Sequence, residues 1–255
     1  MRIVIKIGTS TLAHSTGLIN IRRVESLCKV MSDLKNAGHE VILVSSGAIG
    51  MGAGKLSLNE RPKDIPTKQA AAAVGQCELM YTYDKLFTEH NHCVAQILLT
   101  GADIENKERR KNFQNTMCRL LELGAIPIIN ENDTVVTDEI VIGDNDTISA
   151  IVSTVVNADL LILLSDINGL YTADPHKDKN AVLLHDVDKI TPEIIAMTSG
   201  SDGKLGTGGM VTKLNAAKIA TEKGIDMVIA NGQNAEIRYD IVDGKNVGTR
   251  FSGKR

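Results

Sequence analysis

The residues best suited to chemistry in this sequence are lysines and aspartates beside glycine-rich segments. The segment GTGGMVTK, at 206–213, has three glycines in four positions and ends on Lys213, where a helical apolar pattern begins. Glycines let the backbone approach an anion and present N–H groups to it, and a helix N-terminus adds a positive dipole end. The segment fails the Walker pattern, in which lysine directly follows a glycine and Ser or Thr follows the lysine. We interpret it as a phosphate-binding loop of a different kind.

Two lysines stand where a cation is unfavourable unless it meets an anion. Lys6 lies within the apolar strand pattern RIVIKI, at 2–7, which predicts partial burial of its ammonium group. Lys213 would lie near a helix start, where the dipole disfavours a cation by up to about 1 kcal/mol. The structural alternatives are a lysine that snorkels at a strand end and a solvated lysine on a helix surface. Because residues that break local rules concentrate at functional sites, we favour anion binding for both.

The segment GDNDTISAIV, at 143–152, places Asp144, Asn145 and Asp146 before a helical pattern. One of the three is expected to cap the helix, and a cap needs only one residue. The others could bind a substrate ammonium group, order a catalytic lysine or contact Mg²⁺ through water. An EF-hand is excluded, because the sixth loop position is not glycine and the twelfth is not glutamate.

The elements that must position these residues follow the pattern of a parallel sheet covered by helices. Short runs of Val, Ile and Leu alternate with longer segments of helical period. The whole chain, 1–255, is predicted to form one domain, a three-layer α/β/α sandwich with a mainly parallel central sheet. The polar segment 172–204 is predicted to be a loop outside the sheet. Strands are predicted at 2–7, 40–45, 93–99, 125–130, 159–164 and 225–230, and helices at 20–37, 66–90, 108–123, 146–157 and 210–222.

Ligands of open parallel sheets bind beyond the carboxyl ends of the strands, so the residues that follow each strand are informative. Four predicted strand ends carry polar, glycine-rich or acidic sequence. This pattern predicts two or more anion sites along one edge of the sheet. The four segments are Gly8-Thr9-Ser10, Ser45 to Gly50, Asn130-Glu131-Asn132-Asp133, and Ser165-Asp166.

Composition excludes several classes of partner. The net charge is −3, and three phenylalanines, four tyrosines and no tryptophan provide no stacking surface, so nucleic acid is not expected. The N-terminal run lacks the apolar core of a signal peptide, and the longest apolar run elsewhere, LLILL at 160–164, is too short to span a membrane. The histidines show no metal-binding spacing, and the four cysteines, without a C-x-x-C pair, are predicted to be buried and reduced. We expect a cytoplasmic protein without a protein-bound metal.

Six motifs, in order along the chain, resemble the amino acid kinase family and within it the enzymes that phosphorylate glutamate. The match continues to VGTRF, at 247–251. The resemblance implies ATP-dependent phosphorylation of the γ-carboxylate of L-glutamate to L-glutamyl 5-phosphate, the first step of proline biosynthesis. The motifs are KIGTS at 6–10, SGA at 46–48, INEND at 129–133, GDND at 143–146, GLYTADP at 169–175 and GTGGMVTK at 206–213.

The resemblance also implies a role for individual residues. Lys6 and Lys213 would contact the phosphates and the transferred group, and Asp146 would hold the lysines in place. The phosphoryl group would pass in line to glutamate from ATP, with Mg²⁺ as cofactor and without a phosphoenzyme. The positions that match glutamate binding are Ser46, Asp133 and Asn145. Those that match ATP binding are Lys6, Gly8, Ser165, Asp166, Thr207, Gly208, Gly209, Met210, Val211, Thr212 and Lys213.

Further expectations from the resemblance concern assembly and regulation. Family members assemble as homo-oligomers, and feedback inhibition by proline is expected of glutamate-phosphorylating members. Many of these carry a C-terminal PUA domain, which we expect this chain to lack because the sequence ends at Arg255. Ser45 and Ser165 stand where threonine is expected, and both retain the hydroxyl group.

Two alternatives to glutamate phosphorylation remain open from the sequence. The first is a kinase of the same fold that acts on N-acetylglutamate, aspartate, carbamate or UMP. Asp133 favours a substrate with a free amino group over an acetylated one. The second is a non-catalytic small-molecule sensor, which loss of Lys6, Asp146 or Lys213 would favour, and all three are present.

Overall fold

The computed structural model describes the chain except for residues 15, 17, 61, 136–143, 176, 199–208, 235 and 255. Contacts within the chain define two compact units. The N-terminal unit is Ile7–Ile142, and the C-terminal unit combines Met1–Lys6 with Gly143–Arg255. The expectation of one domain over 1–255 stays a prediction.

The N-terminal unit contains three strands of a parallel sheet in the order β3-β4-β2. Val41 to Val44 and Ile126 to Ile129 are buried, as expected of strands covered on both faces. The strands are β2 (Glu40–Val44), β3 (Val94–Leu99) and β4 (Ile126–Glu131). The helices are α1 (Thr9–Leu12), α2 (Ile21–Asn36), α3 (Ala48–Lys55), α4 (Ile65–Thr88), α5 (Gly101–Glu105) and α6 (Lys107–Glu122).

The C-terminal unit contains the strand order β1-β5-β9-β10-β8 and a separate β6-β7 hairpin. Strands β5 and β9 are parallel, whereas β10 runs antiparallel to β9 and parallel to β8. The strands are β1 (Arg2–Ile7), β5 (Leu160–Ser165), β6 (Leu170–Tyr171), β7 (Leu183–Leu184), β8 (Asp186–Val187), β9 (Asp226–Asn231) and β10 (Thr249–Phe251). The helices are α7 (Asn145–Val155), α8 (Pro192–Thr198), α9 (Met210–Thr221) and α10 (Ile237–Val242).

The six predicted strands and five predicted helices all occur, with ends that differ from the prediction by no more than two residues. The prediction that 172–204 is only a loop outside the sheet is wrong. That segment includes β7 and α8, and β8 pairs with β10 through Asp186 and Val187. A strand of two residues is too short to show the alternating pattern from which strands are predicted, and its position depends on the strand with which it pairs.

The described residues also bear on the predictions for the cysteines and for membrane-spanning segments. Cys28 is buried, but Cys77 and Cys93 are exposed, so burial of all the thiols was wrongly predicted. No helix in the described part of the chain combines the length and apolar character needed to cross a membrane.

Helices α3 and α4 approach each other closely because glycines lie at their contact. A Cβ atom at Gly75 would overlap the carbonyl oxygen of Ala48, and one at Gly52 would overlap the carbonyl oxygen of Ala71. Both glycines are buried. Gly52 and Gly75 therefore allow the backbones of α3 and α4 to come into contact.

We predict that Gly75→Ala destabilises the protein by about 1–3 kcal/mol or more, because the new methyl group must push two backbones apart. Thermal unfolding should show a Tm lower by at least roughly 3 °C. Gly50→Ala, in α3, is the matched control. Its Cβ would meet only Thr9 Cγ2 at 3.8 Å, so the better helix propensity of alanine should leave Tm unchanged or higher. Equal Tm values for Gly75→Ala and the wild type would contradict the prediction.

Candidate active site

Lys6, Asp146 and Lys213 form a buried cluster of charges in the C-terminal unit. Lys6 Nζ lies 2.6 Å from Asp146 Oδ1, and Lys213 Nζ lies 3.1 Å from Asp146 Oδ2. The side chains of the two lysines are 9% and 6% exposed, and that of Asp146 is 1% exposed. The structural alternatives, a snorkelling Lys6 and a solvated Lys213, are therefore wrong.

Three elements bring these side chains together. Lys6 is the next-to-last residue of β1, Asp146 lies in the first turn of α7, and Lys213 is the fourth residue of α9. The cap of α7 is Asp144, whose carboxylate accepts hydrogen bonds from the backbone N–H of Thr147 at 2.7 Å and from its hydroxyl at 2.9 Å. Because Asp144 caps the helix, the carboxylate of Asp146 can pair with the lysines.

Thr212 adds a hydroxyl group to the cluster. Its Oγ1 lies 2.8 Å from Asp146 Oδ2 and 2.7 Å from the carbonyl oxygen of Gly209, the residue that caps α9. The sequence placed Thr212 in the phosphate-binding segment but gave no sign of its contact with Asp146. The hydroxyl therefore links the carboxylate to the start of α9.

The charges of the two lysines determine the ionisation of Asp146. Burial by itself would raise the pKa of Asp146, but the charges of Lys6 and Lys213 and the hydrogen bond from Thr212 hold this pKa below its usual value. Asp146 is thus ionised at neutral pH, and two ammonium groups face one carboxylate. Lys6, Lys213 and Asp146 together carry a net charge of +1 in a buried place, where charges are unfavourable unless they are paired.

The ends of β5 and β9 are held together by hydrogen bonds. The backbone N–H of Gly232 donates to the carbonyl oxygen of Ser165 at 2.8 Å, and Ser165 Oγ donates to Asp166 Oδ1 at 3.1 Å. Asn231 Nδ2 donates to Asn168 Oδ1 at 2.9 Å. Sequence reasoning identified Ser165 and Asp166 but missed Asn231, although its position at the end of a predicted strand could have indicated it.

The predicted phosphate-binding loop is described in part. Gly209, Met210 and Val211 form the start of α9, and within the described part of the chain no side chain caps this helix. The first N–H groups of a helix have no partner within the helix itself. Thr207 and Gly208, which we predicted to bind ATP, lie outside the described residues, as does Gly143.

Two predicted glutamate-binding residues belong to the N-terminal unit. Ser46 follows β2 and is half-buried, and Asp133 follows β4. Burial raises the pKa of Asp133 from 3.8 to about 6. Gly8, the cap of α1, belongs to this unit as well, whereas Asn145 is the first residue of α7 in the C-terminal unit. A common role for Ser46, Asp133 and Asn145 stays a prediction.

The structure also contains two buried polar pairs that sequence reasoning missed. Ser45 Oγ lies 2.9 Å from the hydroxyl oxygen of Tyr83, and Asn130 Nδ2 donates to Gln76 Oε1 at 2.9 Å. The partners are 38 and 54 residues apart in the sequence. Only the fold brings them together, so no local pattern could have identified these pairs.

Metal binding can be assessed only for the described residues. Among them, no group of three His, Cys, Asp or Glu side chains could hold a metal ion.

Known proteins resemble this chain over nearly its full length. The model of the amino acid kinase family matches residues 1–231. Glutamate 5-kinase of Clostridium perfringens is 54% identical over 258 residues, covering 100% of this chain and 96% of that protein. Glutamate 5-kinase of Clostridium acetobutylicum is 56% identical, covering 99% and 95%. Carbamate kinase of Giardia lamblia, solved with bound AMP-PNP, has a TM-score of 0.68 at 17% identity and covers 99% of this chain and 98% of that one.

The fold agrees with these comparisons. The expectation of a three-layer α/β/α sandwich with a mainly parallel central sheet is confirmed by the parallel strands, the flanking helices and the similarity to the carbamate kinase. Both matches cover the segments that contain Lys6, Asp146 and Lys213. This chain belongs to the amino acid kinase family.

Proposed function

We propose that this protein transfers the γ-phosphoryl group of ATP to the γ-carboxylate of L-glutamate and forms L-glutamyl 5-phosphate, the first step of proline biosynthesis. The observation that carries the proposal is the buried cluster of Lys6, Asp146 and Lys213, with its excess positive charge. Relatives that are 54% and 56% identical and are named glutamate 5-kinase support glutamate as the acceptor.

The reaction requires two anions to approach each other. A carboxylate oxygen of glutamate forms a bond to the γ-phosphorus, and the bond from that phosphorus to the β–γ bridging oxygen breaks. The electron pair of the broken bond leaves with ADP. Because the carboxylate is already ionised, it needs no general base, and catalysis consists of positioning and of neutralising charge on the transferred group.

The lysines supply this neutralisation. We assign Lys6 and Lys213 to the phosphate oxygens, where a fixed ammonium group stabilises charge that moves during the transfer. Asp146 orients both ammonium groups through its two oxygens and takes no proton. Thr212 fixes the carboxylate in turn.

The remaining assignments concern the two substrates. Asp133 would pair with the α-ammonium group of glutamate. Burial disfavours the charge of the Asp133 carboxylate, and a bound cation would offset that cost. Ser46 and Asn145 would bind the substrate through hydrogen bonds. The nucleotide would contact Gly8, Ser165, Asp166, and residues 207–213.

The proposal extends to conditions and partners. Mg²⁺ would enter as part of the MgATP substrate, and the cytoplasm, which supplies ATP and glutamate, is the proposed compartment. A homo-oligomer and feedback inhibition by proline are part of the proposal on the ground of the resemblance. Sedimentation velocity would test the first, and a titration of the activity with proline would test the second.

One assay separates glutamate phosphorylation from the alternatives. The purified protein is supplied with MgATP and, in turn, L-glutamate, N-acetylglutamate, aspartate, carbamate or UMP. Hydroxylamine traps an acyl phosphate as a hydroxamate, and ADP is measured in parallel. We expect hydroxamate and ADP in equal amounts with L-glutamate. Absence of hydroxamate with glutamate would refute the proposal, and absence of turnover with every substrate would favour a sensor.

We predict that Lys213→Met lowers kcat by roughly 10²–10³-fold, because a preorganised charge on the transferred group is lost. The KM for glutamate should change much less, since the lysine is assigned to the phosphate. Lys218→Met, at an exposed position of the same helix, is the matched control and should retain the wild-type kcat. If Lys213→Met changes only the KM for glutamate, the assigned role is wrong.

We predict that Asp133→Asn stabilises the free protein at neutral pH while it weakens glutamate binding. The carboxylate has a pKa of 3.8 before folding and about 6 after it, so ionised Asp133 destabilises the fold increasingly as the pH rises from 4 to 6. The neutral amide would remove a penalty of about 1–2 kcal/mol above pH 6, after a discount for partial exposure, and none below pH 4.

Thermal unfolding from pH 4 to pH 8 measures this difference. We expect a Tm increase of roughly 3–6 °C at pH 8 that disappears at pH 4, together with a higher KM for glutamate. Asp33→Asn, at an exposed position of α2, controls for the loss of a carboxylate in general. A difference in Tm that is constant over the pH range would contradict the burial of charge at Asp133.

A further inference from the structure

Helix α4 reaches the ends of two neighbouring strands with two buried polar side chains. Tyr83, which is fully buried, shares a hydrogen bond of 2.9 Å with Ser45, the residue after β2. Gln76 accepts a hydrogen bond of 2.9 Å from Asn130, near the end of β4. Gln76 and Tyr83 are seven residues apart, which is two helical turns, so they lie on the same face of α4.

Their partners lie side by side in the sheet. Strands β2 and β4 are parallel, with Val44 opposite Ile129, and the backbone N–H of Ser45 donates to the carbonyl oxygen of Ile129 at 2.8 Å. Ser45 and Asn130 each follow this opposed pair by one residue. Because side chains alternate along a strand, the two polar side chains point to the same face of the sheet, toward α4.

The residues that α4 contacts are close in the sequence to the proposed glutamate-binding residues. Ser46 follows Ser45 directly, and Asp133 follows Asn130 by three residues. Ser45 Oγ also lies 3.3 Å from the carbonyl oxygen of Ser46, and Asn130 Oδ1 accepts a hydrogen bond from the backbone N–H of Glu131 at 2.9 Å. The two pairs therefore hold the backbone of both substrate-binding segments and not only the strands that precede them.

We infer that Gln76 and Tyr83 are positioning residues, which hold the Ser45–Ser46 and Asn130–Asp133 segments in the geometry that binds the amino acid substrate. The inference rests on the proposed function, because it assumes that Ser46 and Asp133 bind glutamate. An apolar residue at either helix position would fill the same space, but it would leave a buried hydroxyl or amide group without its partner, at a cost in free energy. Polar side chains at these two buried positions thus fix the geometry of the strand ends in addition to filling the core.

The test compares substitutions at both ends of one hydrogen bond. Tyr83→Phe, Ser45→Ala and the double variant are assayed for hydroxamate formation over a range of glutamate and ATP concentrations, together with Gln76→Leu. For each single variant we expect the KM for glutamate to rise roughly fivefold to thirtyfold, the factor that corresponds to a lost hydrogen-bond partner. The KM for ATP and kcat should stay within about twofold of the wild type.

The double variant separates positioning from a general loss of stability. If Tyr83 acts through Ser45, the double variant should raise the KM for glutamate no more than either single variant does. Ser45→Thr keeps the hydroxyl group and should keep the wild-type KM. The matched control is Phe87→Leu, a fully buried position of α4, which should lower Tm without changing the KM for glutamate.

Each outcome decides the inference. The inference would be overturned if Tyr83→Phe and Gln76→Leu left the KM for glutamate unchanged, or if they raised the KM for ATP as much as the KM for glutamate. It would also be overturned if Phe87→Leu raised the KM for glutamate by the same factor. In each of these cases the proposed function would stand. Additive effects in the double variant would overturn the role of the Tyr83–Ser45 bond. A wild-type protein that forms no hydroxamate from glutamate would refute the proposed function, and this inference would fall with it.

Discussion

The buried carboxylate of Asp146 is the group on which the charged site depends. It holds the ammonium groups of Lys6 and Lys213, which come from a strand and a helix far apart in the sequence. Without an anion between them, two buried cations would repel each other and would be unfavourable in a place that excludes water. One carboxylate offsets only one of the two charges, and the proposed function assigns the lysines to the phosphate oxygens of the substrate.

The charged cluster is positioned by helix starts and by the pairing of neighbouring strands. Asp144 caps α7 so that Asp146 need not, and α9 begins at Gly209, with no side-chain cap among the residues that the structure describes. The parallel arrangement of β5 and β9 brings Ser165 beside Asn231, so the segments after both strands support each other. Helix starts and strand ends thus provide the polar groups, while the apolar strands provide the rigid frame.

The N-terminal unit also contains polar side chains that are largely buried. Burial raises the pKa of Asp133, and the proposed function pairs its carboxylate with the α-ammonium group of the substrate. Tyr83 and Gln76 form hydrogen bonds with Ser45 and Asn130, and the glycine contact of α3 and α4 keeps α4 close to its neighbour. Helix α4 thus combines a close packing contact with the hydrogen bonds to the residues at the ends of β2 and β4.

The sequence by itself determined the main strands and helices, because long apolar runs and helical periods are local properties of the chain. It also identified Lys6, Lys213 and Asp146 as unusual. Lys6 lies in an apolar strand, Lys213 lies near a helix start, and Asp146 is one of three polar residues before a helical pattern that needs only one cap. Only the tertiary structure decided that these three side chains meet, that Thr212 joins them, that β8 and β10 complete a sheet edge, and that Tyr83 and Gln76 pair with Ser45 and Asn130. The physical reason is that such contacts join residues tens to hundreds of positions apart, so they depend on how strands and helices pack and leave no periodic mark in the chain.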